Sequence, residues 1–442
     1  MASDKLKTSN KVFALAIPVM ISNISTPLIG VIDTAIVGQI PDPSLIGAVA
    51  ISAMLFSLLY WGFGFLRMGT TSLTAQSIGA REKSESIAIL VRVLIVSIAS
   101  GFVLIALQTP ISALSFFFLN ASSSVESLSK EYFDIRIWSA PATFINYALV
   151  GWFIGLGHAR IALLIQLVLN FLNAFLDWYF VIELGMGVQG VALGTLFAEI
   201  FAATIGLIFA VKVYRHLKTE KTKISIWDFS KLRKLFNVST DILIRSLALM
   251  FVFVWFTSQS AENGDVVLAA NAILMHFITT TAYFLDGFAI AAESLAGKAV
   301  GAKNRKDFVR ICKVTISWST IIAALSSIIL IALGPHIIRL LTVDTNIQET
   351  ARQFMLWAAL TPLIATWCYQ LDGIFLGATW TQEMVKSMLI STSLFLVVYS
   401  MLTPLQNTGL WLSLYFHFAA RAVTLGCYFP QLLNRDFPPT NN

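Results

Sequence analysis

The sequence predicts an all-α polytopic membrane protein, with twelve transmembrane helices in two pseudo-symmetric six-helix lobes. Three observations carry this. Of 442 residues, 57% are hydrophobic and only 12% charged, with a mean hydropathy of +0.77; a soluble domain is about a quarter charged. Uncharged runs long enough to cross about 30 Å of hydrocarbon recur along the whole chain. Two short segments of the first half also reappear in the second at a near-constant offset.

The runs lie near residues 13–35, 45–69, 88–109, 132–156, 160–182 and 188–211. A second set follows near 237–258, 267–292, 311–333, 352–376, 385–403 and 408–430. The loops support this count. Of the 30 Lys and Arg residues, 23 fall in the segments that alternate with the N-terminus, and only Lys130, Arg339 and Arg352 lie in the opposite loops. The positive-inside rule then places both termini in the cytoplasm and requires an even span number. The net charge of +6 thus reports membrane orientation and not a nucleic-acid partner. The N-terminal MASDKLKTSNK has no short apolar h-region or small-residue cleavage site, so span one is retained.

The most polar stretch, Lys212–Lys234, lies at the midpoint. It divides an N-lobe, 1–211, from a C-lobe, 237–442, with 212–236 as a cytoplasmic connector. An amphipathic helix on anionic headgroups and a solvated linker are both compatible with it. A shift of 222 residues lays SLTAQSIGA (Ser72–Ala80) over SLAGKAVGA (Ser294–Ala302), and one of 220 lays GWFIGLG (Gly151–Gly157) over LDGIFLG (Leu371–Gly377). Six spans per half give both halves the same orientation, the parallel-repeat arrangement of secondary transporters. Cys312, Cys368 and Cys427 are isolated in or beside apolar runs and read as small buried residues.

Polar residues inside spans are the functional candidates. On span five, Gln166, Asn170, Asn173 and Asp177 fall within roughly a 60° arc of one helical face. An ionised Asp at mid-span costs about 2.5–3.5 kcal/mol on insertion scales. Spans one and five run outward, and spans four and six start outside. Asp33, Tyr132, Asn173, Asp177 and Thr195 are therefore expected at one level in the outer half of the first bundle. Asn170 belongs to the same polar face. Desolvation and a neighbouring like charge both penalise ionised carboxylates, so paired acids there suit proton exchange or capture of a small cation. Interhelical hydrogen bonding is the plainer role for the asparagines and Tyr132. Arg67, Asp286, Glu293 and Asp372 are expected near the cytoplasmic end, as an inner gate or as solvated interfacial charges. Pro18 and Pro27 interrupt span one and mark a hinge.

Several motifs carry no chemistry. GMGVQG (Gly185–Gly190) has dinucleotide-loop spacing, but it follows a span and not a strand. His158, His276 and His417 lack metal-ligand spacing. Asn173-x-x-x-Asp177 resembles half of a prenyltransferase magnesium–diphosphate motif, yet position 181 is Val and no second acidic cluster exists. No enzyme, metal or organic cofactor is expected.

At IPVMISNISTPLIGVIDTAIVGQ (Ile17–Gln39), SIGAREK (Ser77–Lys83) and LGMGVQGVALGT (Leu184–Thr195), the sequence resembles the multidrug and toxic compound extrusion (MATE) transporters. More narrowly it is similar to their bacterial DNA-damage-inducible-F branch. The resemblance spans nearly the whole chain. It implies two six-helix lobes that alternate access in the inner membrane and export amphipathic, often cationic, compounds against a cation gradient. It also implies that Asp33 is the coupling acid, surrounded by Asp177, Asn173, Thr195 and Tyr132, with Pro18 at the bend. The sodium-linked branch is expected to carry acids deep in the seventh span and on the tenth. Here Ser246–Ser258 has none and only Asp372 remains, which favours protons over sodium. The sequence reading is thus a monomeric proton-coupled efflux antiporter. Sodium coupling and export of an anionic or lipid-like amphiphile are its alternatives, the latter with Arg136 and Arg245 as candidate cavity cations.

Overall fold

The computed structural model describes residues 2–40, 42–117, 122–217 and 225–438, of which 2–3 and 26–29 by their backbone alone. Every regular element among them is helical. Span one is α1 (Ala2–Val37). Span two joins α2 (Pro43–Trp61) and α3 (Phe65–Gly79) through a 3-10 turn. Span three is α4 (Lys83–Ala106), followed by the short α5 (Gln108–Phe117). Span four joins α6 (Ser123–Arg136) and α7 (Ala140–Leu156) through a 3-10 turn at Ile137–Ser139. Span five is α8 (Ala159–Trp178), and span six is α9 (Gly187–Leu217). The second set is α10 (Phe229–Glu262), α11 (Asp265–Gly301), α12 (Arg305–Leu341), α13 (Thr345–Ala378), α14 (Thr381–Leu402) and α15 (Gln406–Asp436).

Eleven described segments are long and apolar enough to cross a membrane, the last running 56 residues from Thr381 to Asp436. Straight, that segment would be roughly 84 Å long at 1.5 Å per residue, almost three times the hydrocarbon thickness. Instead α14 and α15 pack against each other about the turn at Thr403–Leu405, so the segment crosses twice. Among the described residues the candidate crossings number twelve. Polar caps fix where three of the helices begin: Asp42, Asn304 and Asp344 accept hydrogen bonds from the first-turn amides of α2, α12 and α13. Cys312 and Cys368 are buried, whereas Cys427 is exposed on α15, against the expectation that all three pack inside.

Two compact units result: Met1–Met20 with Asn237–Asn442, and Ile21–Phe236. The first twenty residues of α1 thus group with the second half of the chain, whereas the sequence reading placed all of span one in the first. The division falls just past Pro18, which α1 accommodates without a break. In the unit Ile21–Phe236, Arg92 on α4 donates from Nε to the Ile226 carbonyl at 2.8 Å and from Nη2 to the Ser225 carbonyl at 2.5 Å. Its Nη1 meets Glu85 at 2.7 Å, and Glu85 also pairs with Lys231. Of the described connector residues, 212–217 continue α9, 225–228 form a clamped turn, and 229–236 already belong to α10. Residues 218–224, the middle of the stretch Lys212–Lys234 for which an amphipathic helix was one expectation, lie outside the described residues.

The internal repeat is written in backbone contacts. A Cβ at Gly151 of α7 would lie 2.3 Å from the Arg67 carbonyl of α3, and one at Gly155 would lie 2.7 Å from that of Thr71. On α13, a Cβ at Gly373 would lie 2.2 Å from the Ala289 carbonyl of α11, and one at Gly377 would lie 2.3 Å from that of Glu293. Each pair maps onto the other at a shift of 222. So do the left-handed residues Arg81 and Lys303, and Gly157 (φ 91°) and Thr379 (φ 56°). The register of spans four and ten is therefore 222 and not 220. The shorter shift aligned letters; the longer one aligns the glycines that let two helix backbones touch.

At this shared C-cap glycine fits without strain, whereas a β-branched residue in the left-handed region costs roughly 1–2 kcal/mol. Gly157→Thr is accordingly expected to lower stability by about 1 kcal/mol, after the gain from restricting the unfolded chain. Thermal unfolding in detergent measures this, and an unchanged midpoint would contradict it.

Candidate functional site

The polar face of α8 divides into two levels. At the first, Gln166 Nε2 donates to Asn170 Oδ1 at 2.8 Å, and Asn170 Nδ2 donates to Ser25 Oγ of α1 at 2.7 Å. At the second, Asn173 Nδ2 donates to Asp177 Oδ2 at 2.9 Å and to Thr195 Oγ1 of α9 at 3.1 Å. Thr195 spends its own proton on the Val191 carbonyl at 3.0 Å, so it must accept from Asn173. That fixes the amide orientation: nitrogen, not oxygen, faces Asp177.

Asp33 reaches this second level from α1, and its carboxyl lies within hydrogen-bond reach of that of Asp177. The steps along the two helices agree. From Ser25 to Asp33 is about 12 Å, and from Asn170 to Asp177 about 10 Å, at 1.5 Å per residue. This is what two helices running the same way require. Asp33 Oδ1 and Asp177 Oδ1 are buried and receive no donor among the described residues. Asp177 is 0% exposed because α9 offers bare backbone beside it: a Cβ on Gly194 would lie 2.0 Å from Asp177 Oδ1. Directly after Trp178 the helix widens into a π-turn, Tyr179–Glu183, a distortion frequent at functional sites.

Tyr132 of α6 is buried, and both carboxylates and Arg136 act on it electrostatically. Arg136 Nη1 donates to the Tyr132 hydroxyl at 3.1 Å, and its Nη2 pairs with Glu199 of α9 at 3.4 Å. Thr143 of α7 donates to Glu199 Oε2, and Asn146 Nδ2 donates to the Glu199 carbonyl at 3.0 Å. The structure thus gathers Asp33, Asp177, Asn173, Thr195 and Tyr132. Asn170 does not join them, since it lies two turns away and is committed to Ser25. Glu199 was missed, although the rule that singles out Asp33 applies equally to an acid in "TLFAEIFAA". No sequence signal marks Gly194.

The gate residues fare differently. Asp372 is held inside its own unit by Arg421 and by Arg245 at 3.4 Å, all three buried. Both arginines sit mid-helix on α10 and α15. Glu293 is buried on α11, Asp286 is half-buried one face-repeat earlier, and Arg67 is half-buried on α3. At the 222 shift Glu199 corresponds to Arg421, and Tyr147 beside Glu199 corresponds to Tyr369 beside Arg421. One repeat position thus carries an acid in one unit and a base in the other. Pro18 is buried in the unit of Met1–Met20; the side chain of Pro27 lies outside the described residues. No group of three or more His, Cys, Asp or Glu able to hold a metal occurs among the described residues.

The chain as a whole is similar to known proteins. DNA damage-inducible protein F of Escherichia coli (strain K12) is 38% identical over 95% of this chain and 92% of its own. Multidrug export protein MepA of Staphylococcus aureus (strain MSSA476) is 22% identical over 79% of this chain and 77% of its own. The fold superposes on a crystal structure of MATE in the bent conformation with a TM-score of 0.87, at 20% identity, covering 97% of this chain and 96% of that one. The MatE family model matches twice, at residues 18–179 and again at 242–402, one match in each half of the repeat. With its twelve crossings, its duplicated glycine contacts and this double match, the chain belongs to the MatE family of membrane transporters.

Proposed function

We propose that this protein is a secondary active antiporter that exchanges protons for amphipathic cationic compounds, exporting the latter by alternating access. One observation carries the reading: Asp33 and Asp177 meet in a buried place where each keeps an oxygen without a donor. Two carboxylates at that separation are compatible when a proton lies between them, or when a cation does. Hard metal cations take several oxygen ligands, but Asn173 presents nitrogen and the Thr195 hydroxyl is already engaged. Protons fit better. In the other unit the Asp372 carboxylate is occupied by Arg421 and Arg245, which weighs against a second ion site there.

In the cycle, protonation from outside neutralises the pair and lets α1 change course near Pro18. Deprotonation towards the cytoplasm restores a negative place attractive to an organic cation. A ligand shifts such an equilibrium only through its differential affinity for the two states. Charge bias in the loops puts both termini and Lys212–Lys234 on the cytoplasmic side of the inner membrane, and no feature of the cycle requires more than a monomer. The names of relatives, a multidrug export protein and a probable multidrug resistance protein, support efflux.

The test is ion release from the purified protein in weakly buffered proteoliposomes. Adding ethidium is expected to release protons and no sodium; sodium release without protons would reverse the assignment. A second reading, export of an anionic amphiphile, draws on the two guanidiniums that share Asp372. It predicts competition by anionic and not by cationic amphiphiles.

A further inference from the structure

The unit Ile21–Phe236 holds a second charged centre that the carboxyl pair does not use. Glu199 lies one turn along α9 from Thr195, with its carboxylate between Thr143 and Arg136. The Arg136 guanidinium carbon lies 5.2 Å from the centroid of the Phe56 ring and 5.9 Å from that of Tyr132, within cation–π range of both. Its contact with Glu199 is long, 3.4 Å against the roughly 2.7–2.9 Å of a strong charge-assisted bond. Arg136 Nε has no partner among the described residues, although the atom is buried. The Arg136 side chain keeps 16% exposure against 7% for Glu199, so the cation is the more accessible of the two.

A buried carboxylate walled by aromatic faces is the chemistry that recognises an organic cation. Here the place is filled by a guanidinium held weakly on one side and by a tyrosine hydroxyl on the other. We propose that Glu199, Phe56 and Tyr132 form the subsite for the cationic head of an exported amphiphile, and that Arg136 is its tethered resting occupant, displaced when the compound binds. A displaced guanidinium keeps Tyr132 as a partner and already acts electrostatically on Asp33 and Asp177. Cargo binding at Glu199 would therefore move charge relative to the carboxyl pair, which couples the two centres without direct contact. This subsite rests on the antiport reading for its cargo, but its existence is testable without transport.

The probe is ethidium, titrated by fluorescence against full-length protein in nanodiscs with no ion gradient, from pH 6 to pH 9. Glu199→Gln is expected to weaken binding about tenfold, the scale of one lost charge contact. Arg136→Gln, which removes the competitor, is expected to bind ethidium several-fold tighter. Arg136→Lys keeps a tethered cation and is expected to bind no tighter than the unaltered protein. The neutral probe N-phenyl-1-naphthylamine should respond to none of the three. Wild-type ethidium affinity in folded Glu199→Gln overturns the subsite, and so does Arg136→Gln binding more weakly than wild type at every pH. Should Glu199→Gln fail to fold, the two Arg136 variants decide. Absent antiport with intact, Glu199-dependent binding would sink the antiport reading alone.

Discussion

Asp33→Asn is expected to reduce gradient-driven export to background while the protein folds normally. The reason is quantitative. Moving a two-state equilibrium from 1:99 to 99:1 takes about 5.5 kcal/mol of differential affinity. Protons supply such a difference only through groups whose proton affinity changes between the states, and on the antiport reading those groups are Asp33 and Asp177. Asparagine at position 33 removes one directly. It also silences the other, because its amide can donate to Asp177 Oδ1, which has no donor now, and hold that carboxylate in one charge state. The measurement is ethidium export in membrane vesicles under an imposed pH gradient. Asp42→Asn is the control, since Asp42 is exposed, caps α2 and can be replaced by another good cap. Wild-type export by Asp33→Asn would remove the carboxyl pair from the mechanism.

How much of this was legible in the sequence depends on the range of the interaction. Class, crossing number and the polar face of α8 follow from composition and from a 3.6-residue period, which are local. The common depth of Asp33, Asp177, Thr195 and Tyr132 followed from topology alone, because helices crossing a slab have few ways to place a residue along its normal. Asn170 shows where this stops. It shares a face with Asp177, yet seven residues of rise move it to another level, where Ser25 is its partner. Face is visible in one helix; level against a neighbour is not. The Arg136–Glu199 pair joins the end of α6 to the middle of α9, residues 63 apart in sequence, and Asp372 finds its partners on two other helices. Only packing brings such groups together. The repeat offset was visible but misread at spans four and ten, because identities in small apolar segments recur by chance while helix–helix glycine contacts do not.

Gly194→Ala is expected to abolish export without changing any titratable group. Its added carbon would fall 2.0 Å from Asp177 Oδ1, a separation that real side chains do not hold, and a tight 3.0 Å from the Asp177 backbone nitrogen. The near atom belongs to a short carboxyl that Asn173 fixes from the other side, so the cheapest relief is to turn Asp177 away from Asp33. Overpacking of this kind costs about 1–3 kcal/mol, so a lowered unfolding midpoint should accompany the loss. Stability alone does not account for the expected result, which is why a second glycine is needed. Gly426 on α15 has open space where its Cβ would be; Gly426→Ala should keep full export and gain up to about 1 kcal/mol from helix propensity. A third measurement separates displacement from simple unfolding: at a temperature where Gly194→Ala is still fully folded, ethidium should still bind but no longer release protons. Proton release at the wild-type level from that variant would mean that the contact between α8 and α9 does not position Asp177, and that the bare backbone at Gly194 serves packing alone.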